Sequence, residues 1–230
     1  MAKVKQTPRI SVNKLGEYLV SRAGRQTRIL RNQKFPPEFI VPFYKDSQES
    51  ISRFLASNME NISILEQKIQ MLGQSHIETV WDARRISNNI DAIEAFINML
   101  DEIDLKETAP RLGEHAPQTL LIQNVEVSVR PDVVLTGVGK KETQLVGGIK
   151  LHFPRTNPLS KEAAGYVSAA MHLYCDTCLP DEGEPFGPYC MVMDIGSQTV
   201  WPGIKSYKSR QRDIQDACAQ IAALWPSITP

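Results

Sequence analysis

Residues 130–153, RPDVVLTGVGKKETQLVGGIKLHF, contain Asp132 and, eighteen positions later, Lys150. Each of these two residues adjoins an apolar run, and a polar segment with two glycines separates the runs. Runs of this kind on either side of a Gly-containing segment are typical of a β-hairpin. We therefore predict a strand through Asp132, a turn at residues 136–143 and a returning strand at residues 144–153.

The residues around the hairpin predict an α/β domain. Val125, Val127 and Val129 alternate with polar residues, which is typical of a half-buried strand that leads into the hairpin. After the hairpin a helix is expected to begin near Ser160, followed by another strand or hairpin and a final helix. The C-terminal half therefore follows the order helix, strand, strand, strand, helix, strand, helix.

The N-terminal half is predicted to be helical. A first helix near the N-terminus must end before Pro36, Pro37 and Pro42, because proline cannot occupy a helix interior. Asp46 then begins a capping pattern, and apolar residues spaced three or four apart continue from there to Gly73. This spacing predicts one long amphipathic helix.

A second long helix is predicted from the capping pattern of Ser75 and Glu78 to about Ile103. The two helices would form an antiparallel hairpin within the chain, although the same spacing permits a coiled coil between two copies. Residues 108–117, TAPRLGEHAP, contain Pro and Gly and predict a linker.

The composition is that of a globular chain with a substantial core, since 42% of its 230 residues are hydrophobic. We expect a helical extension with a basic arm at residues 1–104, joined to an α/β domain at residues 105–230. No apolar run reaches the roughly 18 residues that span a bilayer, and no signal-peptide pattern follows the basic N-terminus. These features predict a soluble, cytoplasmic protein with no membrane partner.

The order of elements, together with Pro131-Asp132 and Ile149-Lys150, resembles the PD-(D/E)XK nuclease superfamily, including its RecB-like and restriction-endonuclease branches. The resemblance covers about residues 76–225. It implies a restriction-endonuclease-like αβββαβ core. It also implies that Asp132 is a catalytic residue and a ligand of Mg²⁺, and that Lys150 orients the attacking water.

The sequence departs from the family pattern at Gly148, which stands where the family has a second acid. Glu78 on the preceding predicted helix could supply the missing carboxylate, with Asp82 one turn further on. The resemblance implies a Mg²⁺-dependent DNA nuclease or nuclease-like subunit, of the kind found in bacterial restriction or phage-defence systems. The alternative is a catalytically inactive adaptor that keeps the fold, binds nucleic acid or a protein partner, and oligomerises through the long helices.

Positive charge is concentrated near the N-terminus. Residues 1–34 carry nine Lys or Arg and one acid, whereas the whole chain has a formal net charge of zero. Within this segment an arginine recurs every third residue, and we expect these side chains to bind the phosphates of DNA. Otherwise they form a solvated helix face or pair with acidic residues. The arginines are Arg22, Arg25, Arg28 and Arg31.

Other chemistry has less support in the sequence. One group of potential metal ligands has a spacing that could hold zinc or an iron–sulfur cluster: His172, Cys175, Cys178 and Cys190. A complete zinc site usually has two close pairs of ligands, and the second pair is missing here. We therefore expect buried free cysteines and no such centre. The chain also lacks a Walker loop, a dinucleotide fingerprint and the GxSxG and HExxH motifs, so these common mechanisms are excluded.

Overall fold

The computed structural model describes residues 4–36, 43–105 and 107–230, and within these ranges the chain is a mixed α/β protein. Seven α-helices and eight β-strands are present in the described residues. The helices are α1 (Val12–Val20), α2 (Ala23–Lys34), α3 (Lys45–Ala56), α4 (Ser63–Gly73), α5 (Val80–Ile97), α6 (Lys161–Cys178) and α7 (Lys208–Leu224). The strands are β1 (Arg9–Ser11), β2 (Thr108–Leu112), β3 (Leu120–Ile122), β4 (Val125–Ser128), β5 (Val133–Val138), β6 (Gln144–His152), β7 (Glu184–Asp194) and β8 (Thr199–Trp201).

The larger sheet has five strands in the order β2-β5-β6-β7-β8. Strands β2, β5 and β6 are successively antiparallel, β7 runs parallel to β6, and β8 is antiparallel to β7. Helix α6 connects β6 to β7, as a parallel pair requires a crossover connection. A smaller mixed sheet has the order β1-β4-β3.

Each face of the large sheet is covered by helices and has its own hydrophobic core. One core combines Val134, Val146 and Val192 with apolar residues of α1, α2, α6 and α7. The other combines Val133 and Ile149 with apolar residues of α3, α4 and α5. Neighbouring residues of one strand therefore belong to different cores, as the alternation of side chains across a sheet dictates. Both cores draw residues from either side of residue 104.

The helices that follow residue 43 differ from those predicted. The single helix expected between Asp46 and Gly73 is two helices, α3 and α4, because Asn58 and Met59 adopt positive φ angles of 56° and 63°. A right-handed helix cannot continue through residues in the left-handed region. Helix α5 begins after Thr79, not at Ser75, and α3, α4 and α5 all pack against one another. The predicted two-helix hairpin is thus a three-helix layer.

The N-terminal helix also differs from the prediction. It is divided into α1 and α2, because Ser21 and Arg22 have extended backbones with ψ of 151° and 158°. Helix α2 ends at Lys34, ahead of Pro36. Pro37 and Pro42, which were expected to contribute to this break, lie outside the described residues.

Two predictions about strands were wrong. The segment expected to be a linker contains strand β2, which pairs with β5 and forms an edge of the large sheet. The strand expected to run from Val125 through residues 132–135 is two strands, β4 and β5, in different sheets. The chain changes direction at Arg130, whose φ angle of 42° lies in the left-handed region. The cap predicted at Ser160 is confirmed, since its hydroxyl accepts a hydrogen bond from the Ala163 amide.

Among the helices of the described residues, none combines the length and the apolar character that crossing a bilayer requires.

Candidate functional site

Asp132 and Lys150 lie side by side at the end of the β5–β6 pair. Val133 is opposite Ile149 in the antiparallel register, and one step further along both strands brings Asp132 opposite Lys150. The Lys150 ammonium nitrogen is 2.9 Å from Asp132 Oδ2, and it also donates to the Arg130 carbonyl oxygen at 2.8 Å. The two residues singled out in the sequence therefore form a direct ion pair.

The Asp132 carboxylate has hydrogen-bond donors at both oxygens. Its side chain is only 3% exposed. Besides the Lys150 ammonium, Oδ2 accepts from the backbone N–H of Leu151 at 2.8 Å. Oδ1 accepts from the side-chain amide of Gln48, which reaches it from helix α3. A buried carboxylate requires such partners, because desolvation without them is costly.

The backbone around Asp132 is held from two sides. Its N–H donates to Ile149 and its carbonyl oxygen accepts from the N–H of Gly113, at 2.9 and 3.1 Å. A Cβ atom at Gly113 would lie 1.9 Å from the Pro131 carbonyl oxygen, so only glycine permits this close approach. The left-handed turn at Arg130 costs about 1 kcal/mol or more for a non-glycine residue. The hydrogen bond from Lys150 to the Arg130 carbonyl oxygen helps to offset that cost.

Gly148 lies on the same face of β6 as Lys150, two residues before it. A Cβ atom built at Gly148 would be 3.0 Å from the Val133 carbonyl oxygen, 3.2 Å from Met171 Sδ and 3.2 Å from Pro131 Cβ. These distances are tighter than ordinary van der Waals contact. The volume that an acidic side chain would enter is therefore lined closely by helix α6 and by strand β5.

Gln48 is a residue of the site that sequence reasoning missed. It lies in the first turn of α3, 84 positions before Asp132. Its neighbour Asp46 begins the capping pattern predicted for this helix, but no spacing rule connects position 48 with position 132. A polar residue on the helix that covers this end of the sheet was the only available signal.

The structure puts Glu78 and Asp82 at the start of α5. Glu78 is exposed in the connection between α4 and α5. Asp82 accepts a hydrogen bond from the Thr79 backbone N–H, and the Thr79 hydroxyl accepts one from the Asp82 N–H, which together form a capping box. No hydrogen bond or ion pair joins either acid to Asp132 or Lys150 in the described part of the chain.

The groups around the Asp132 carboxylate do not provide the oxygen ligands that Mg²⁺ needs. This ion requires near-octahedral oxygen ligands and is usually held by one or two carboxylates together with water. Here the single carboxylate already accepts N–H donors at both oxygens, and the Lys150 ammonium lies where a cation would approach. In the ranges that the structure describes, no group of three or more His, Cys, Asp or Glu side chains is arranged to hold a metal ion.

The cysteines of α6 and β7 are free thiols. Cys175 and Cys190 are fully buried, and Cys178 is partly exposed. A hydrogen bond with Cys175, together with burial, raises the pKa of Cys190 well above its ordinary value. A thiol that keeps its proton is a poor metal ligand, because the thiolate is the binding form.

The arginines of the N-terminal segment have different environments. Arg25 forms an ion pair with Glu17, which also pairs with Lys14 at 2.7 Å. Burial alone would raise the pKa of Glu17, but Lys14 and Arg25 lower it below its ordinary value. Arg25 thus has a structural partner within the chain.

Arg22, Arg28 and Arg31 are exposed on α2 and its N-terminal cap. None of them has an acidic partner among the residues that the structure describes. The opposite face of α2 is anchored in the core by Ile29 and Leu30. Helix α2 and its N-terminal cap therefore present three cations to solvent, and we call Arg22, Arg28 and Arg31 the arginine row.

Two clefts flank the Asp132–Lys150 pair, and both are lined by Lys45 and Gln48. One cleft lies between α3 and residues 112–115 and 130–132, and the other lies between the start of α1 and the end of β6. Together they contain five Lys or Arg and three Asp or Glu. The five cations are Lys14, Lys45, Arg53, Arg130 and Lys150.

No protein-family model matches the chain, and no curated protein matches it. Its function is therefore inferred from its own fold and side chains.

Proposed function

We propose that the protein is a catalytically inactive member of the PD-(D/E)XK superfamily, a subunit that binds nucleic acid without cleaving it. The observation that carries this proposal is the state of the Asp132 carboxylate. Both of its oxygens accept hydrogen bonds, one from Gln48 and the other from Leu151 and Lys150. Metal-dependent phosphodiester hydrolysis needs carboxylate oxygens that are free to bind the ion.

The connectivity of the large sheet supports the superfamily assignment. Strands β2, β5 and β6 lie in sequence order as an antiparallel meander, and α6 leads to β7 beside β6. Together with a helical layer preceding β2, this connectivity supports our proposal of a restriction-endonuclease-like αβββαβ core. The ion pair of Asp132 and Lys150 on neighbouring strands is the arrangement that the family motif implies.

Nucleic acid binding is supported by the unpaired cations. The arginine row is exposed and without acidic partners in the described residues, and the clefts beside Asp132 have an excess of basic side chains. Each Lys or Arg that contacts a phosphate releases counterions and adds salt-dependent affinity. We propose DNA as the partner. A role in restriction or phage defence and assembly with other protein subunits remain predictions from the family resemblance.

The second candidate function is a Mg²⁺-dependent DNA nuclease. The observation that favours it is the placement of Asp132 beside Lys150 in an ion pair. An ordinary surface hairpin does not require such a pair at this position. It would need a second carboxylate near Asp132 and a rearrangement that releases the Gln48 amide. Glu78 remains the proposed source of that carboxylate.

One assay separates the two functions. Purified protein is incubated with plasmid and linear DNA in the presence of Mg²⁺ or Mn²⁺, beside Asp132→Ala and Lys150→Ala, and cleavage and DNA binding are measured on the same samples. We expect the wild type to bind DNA and to leave it intact. Cleavage that both substitutions abolish would establish the nuclease, whereas cleavage that neither abolishes would indicate a contaminant. Failure to bind DNA would overturn the proposed function.

A further inference from the structure

Among the residues that the structure describes, Gln48 provides the one hydrogen bond to the Asp132 side chain that comes from the helical layer and not from β6. Its amide N–H donates to Asp132 Oδ1. Glutamine and glutamate have the same shape, and they differ in that the amide donates where the carboxylate accepts. An acid at position 48 would therefore put a second negative oxygen against Oδ1.

The other acids of α3 have partners elsewhere. Asp46 pairs with Arg85 at 2.6 Å and with Lys68 at 3.4 Å. Glu49 pairs with Lys45 at 3.7 Å and is half exposed. Position 48 is therefore the place on this helix from which a side chain reaches Asp132.

We infer that Gln48 closes the Asp132 site to divalent cations, and that it does so from the position at which α3 would present a second carboxylate. The Gln48 amide donates a hydrogen bond to Oδ1, so each carboxylate oxygen of Asp132 has a hydrogen-bond donor. A Glu at the same position would repel Asp132 unless a cation lay between the two carboxylates. This inference rests on the proposal that the protein does not cleave nucleic acid. It adds that the side chain of Gln48 keeps divalent cations from binding Asp132.

The site contains features that suit this role. Gln48 lines both clefts, so its side chain is accessible from either side of the Asp132–Lys150 pair. Lys150 has a second acceptor in the Arg130 carbonyl oxygen, and it can keep that hydrogen bond if Asp132 turns toward a metal ion. Replacing Gln48 by Glu would change the charge at this point without changing the volume.

The test is Mn²⁺ binding, measured by isothermal titration and by the electron paramagnetic resonance signal of free Mn²⁺. Four proteins are compared: the wild type, Gln48→Glu, Gln48→Glu combined with Asp132→Asn, and Gln70→Glu. The last is the matched control, because Gln70 is exposed on α4 and the substitution brings the same charge change. We expect Gln48→Glu to bind Mn²⁺ at least about tenfold more tightly than the wild type or the control. Adding Asp132→Asn should abolish the gain.

Thermal unfolding with and without Mn²⁺ gives a second measurement. Gln48→Glu should have a lower Tm than the wild type without metal and should recover with Mn²⁺, whereas Gln70→Glu, which leaves the Gln48 amide in place, should not respond to the ion. The inference would be overturned by Asp132-dependent Mn²⁺ binding in the wild type. It would also be overturned by a Gln48→Glu protein that binds no more Mn²⁺ than Gln70→Glu, or that fails to fold even with Mn²⁺ present. DNA cleavage and DNA binding by the wild type are separate readouts, and they test the proposed function independently of Mn²⁺ binding by the Gln48 variants.

Discussion

The ammonium nitrogen of Lys34 lies 2.7 Å from the backbone carbonyl oxygen of Trp225, although the two residues are 191 positions apart. The same nitrogen is within 3.3 Å of the carbonyl oxygen of Pro226 and within 3.0 Å of that of Ile228. These oxygens follow the C-terminal end of α7, where a cation also interacts favourably with the helix dipole. Lys34, although part of the basic N-terminal segment, thus joins the two ends of the chain.

Replacing Lys34 by Met should lower the free energy of unfolding by about 2–3 kcal/mol, because it leaves the buried Trp225 carbonyl oxygen and two part-buried carbonyl oxygens without their charged donor. Urea denaturation measures the change. Arg31→Met is the control, since Arg31 is exposed on the same helix. A Lys34→Met protein as stable as the control would show that this contact contributes little.

An acid introduced at Gly148 should destabilise the protein. Gly148→Asp would force its Cβ against Val133 and Met171, and overpacking of this kind costs about 1–3 kcal/mol. Adding Met171→Ala should change the cost of Gly148→Asp, because the two sites are in contact, and a double-mutant cycle in urea measures this coupling. Gly24→Ala is the control, since nothing lies within 4 Å of a Cβ there. It should be neutral or slightly stabilising.

Stability should fall as the pH is lowered, partly through His152. Its Nε2 is 2.8 Å from the Asn157 carbonyl oxygen, and its Nδ1 faces the Asn13 amide at 3.4 Å, so the neutral ring has a partner at each nitrogen. Burial lowers the pKa of His152 below its ordinary value of 6.5. The unfolded chain therefore takes up a proton at a higher pH than the folded chain, and folding is disfavoured as the pH falls below 6.5.

Urea midpoints measured between about pH 7.5 and about pH 5.5 test this expectation. The decrease should be smaller in His152→Gln than in the wild type, even if the substituted protein is less stable at neutral pH. His76→Gln is the matched control, because His76 is exposed. An unchanged pH dependence in His152→Gln would mean that another group is responsible. His172, whose pKa is also lowered by burial, would be the next to replace.

The arginine row should determine the salt dependence of DNA binding. If Arg28 and Arg31 each contact a phosphate, replacing both by Ala should reduce the slope of log affinity against log salt by about two. The control replaces Lys140 and Lys205, which are exposed outside the row, and should have little effect. An equal reduction of this slope in both double variants would indicate diffuse charge attraction instead of defined phosphate contacts by Arg28 and Arg31.

Local signals in the sequence predicted the local parts of this fold. The hairpin of β5 and β6 follows from its alternating apolar runs, and the cap at Ser160 follows from its position before a helical pattern. The proximity of Asp132 and Lys150 was implied by the family resemblance, and the structure places the two side chains in an ion pair. These features depend on residues that are near one another in the chain.

The remaining features depend on distant residues or on unusual backbone angles. The local sequence of strand β2 predicts a linker, because its pairing partner β5 begins more than twenty residues later. The breaks at Asn58 and Arg130 arise from left-handed conformations that ordinary side chains do not signal. Gln48 meets Asp132 only because α3 packs over the end of the sheet. No spacing rule in the sequence predicts the contact between Gln48 and Asp132.

The two cores have a consequence for any attempt to divide the molecule. Each core takes apolar side chains from both sides of residue 104. A fragment that began at residue 105 would lack the N-terminal helices that cover part of each face of the large sheet. It would also lack Gln48, which donates to Asp132. We therefore expect a change in an N-terminal helix to alter the packing of the residues at the centre of the sheet.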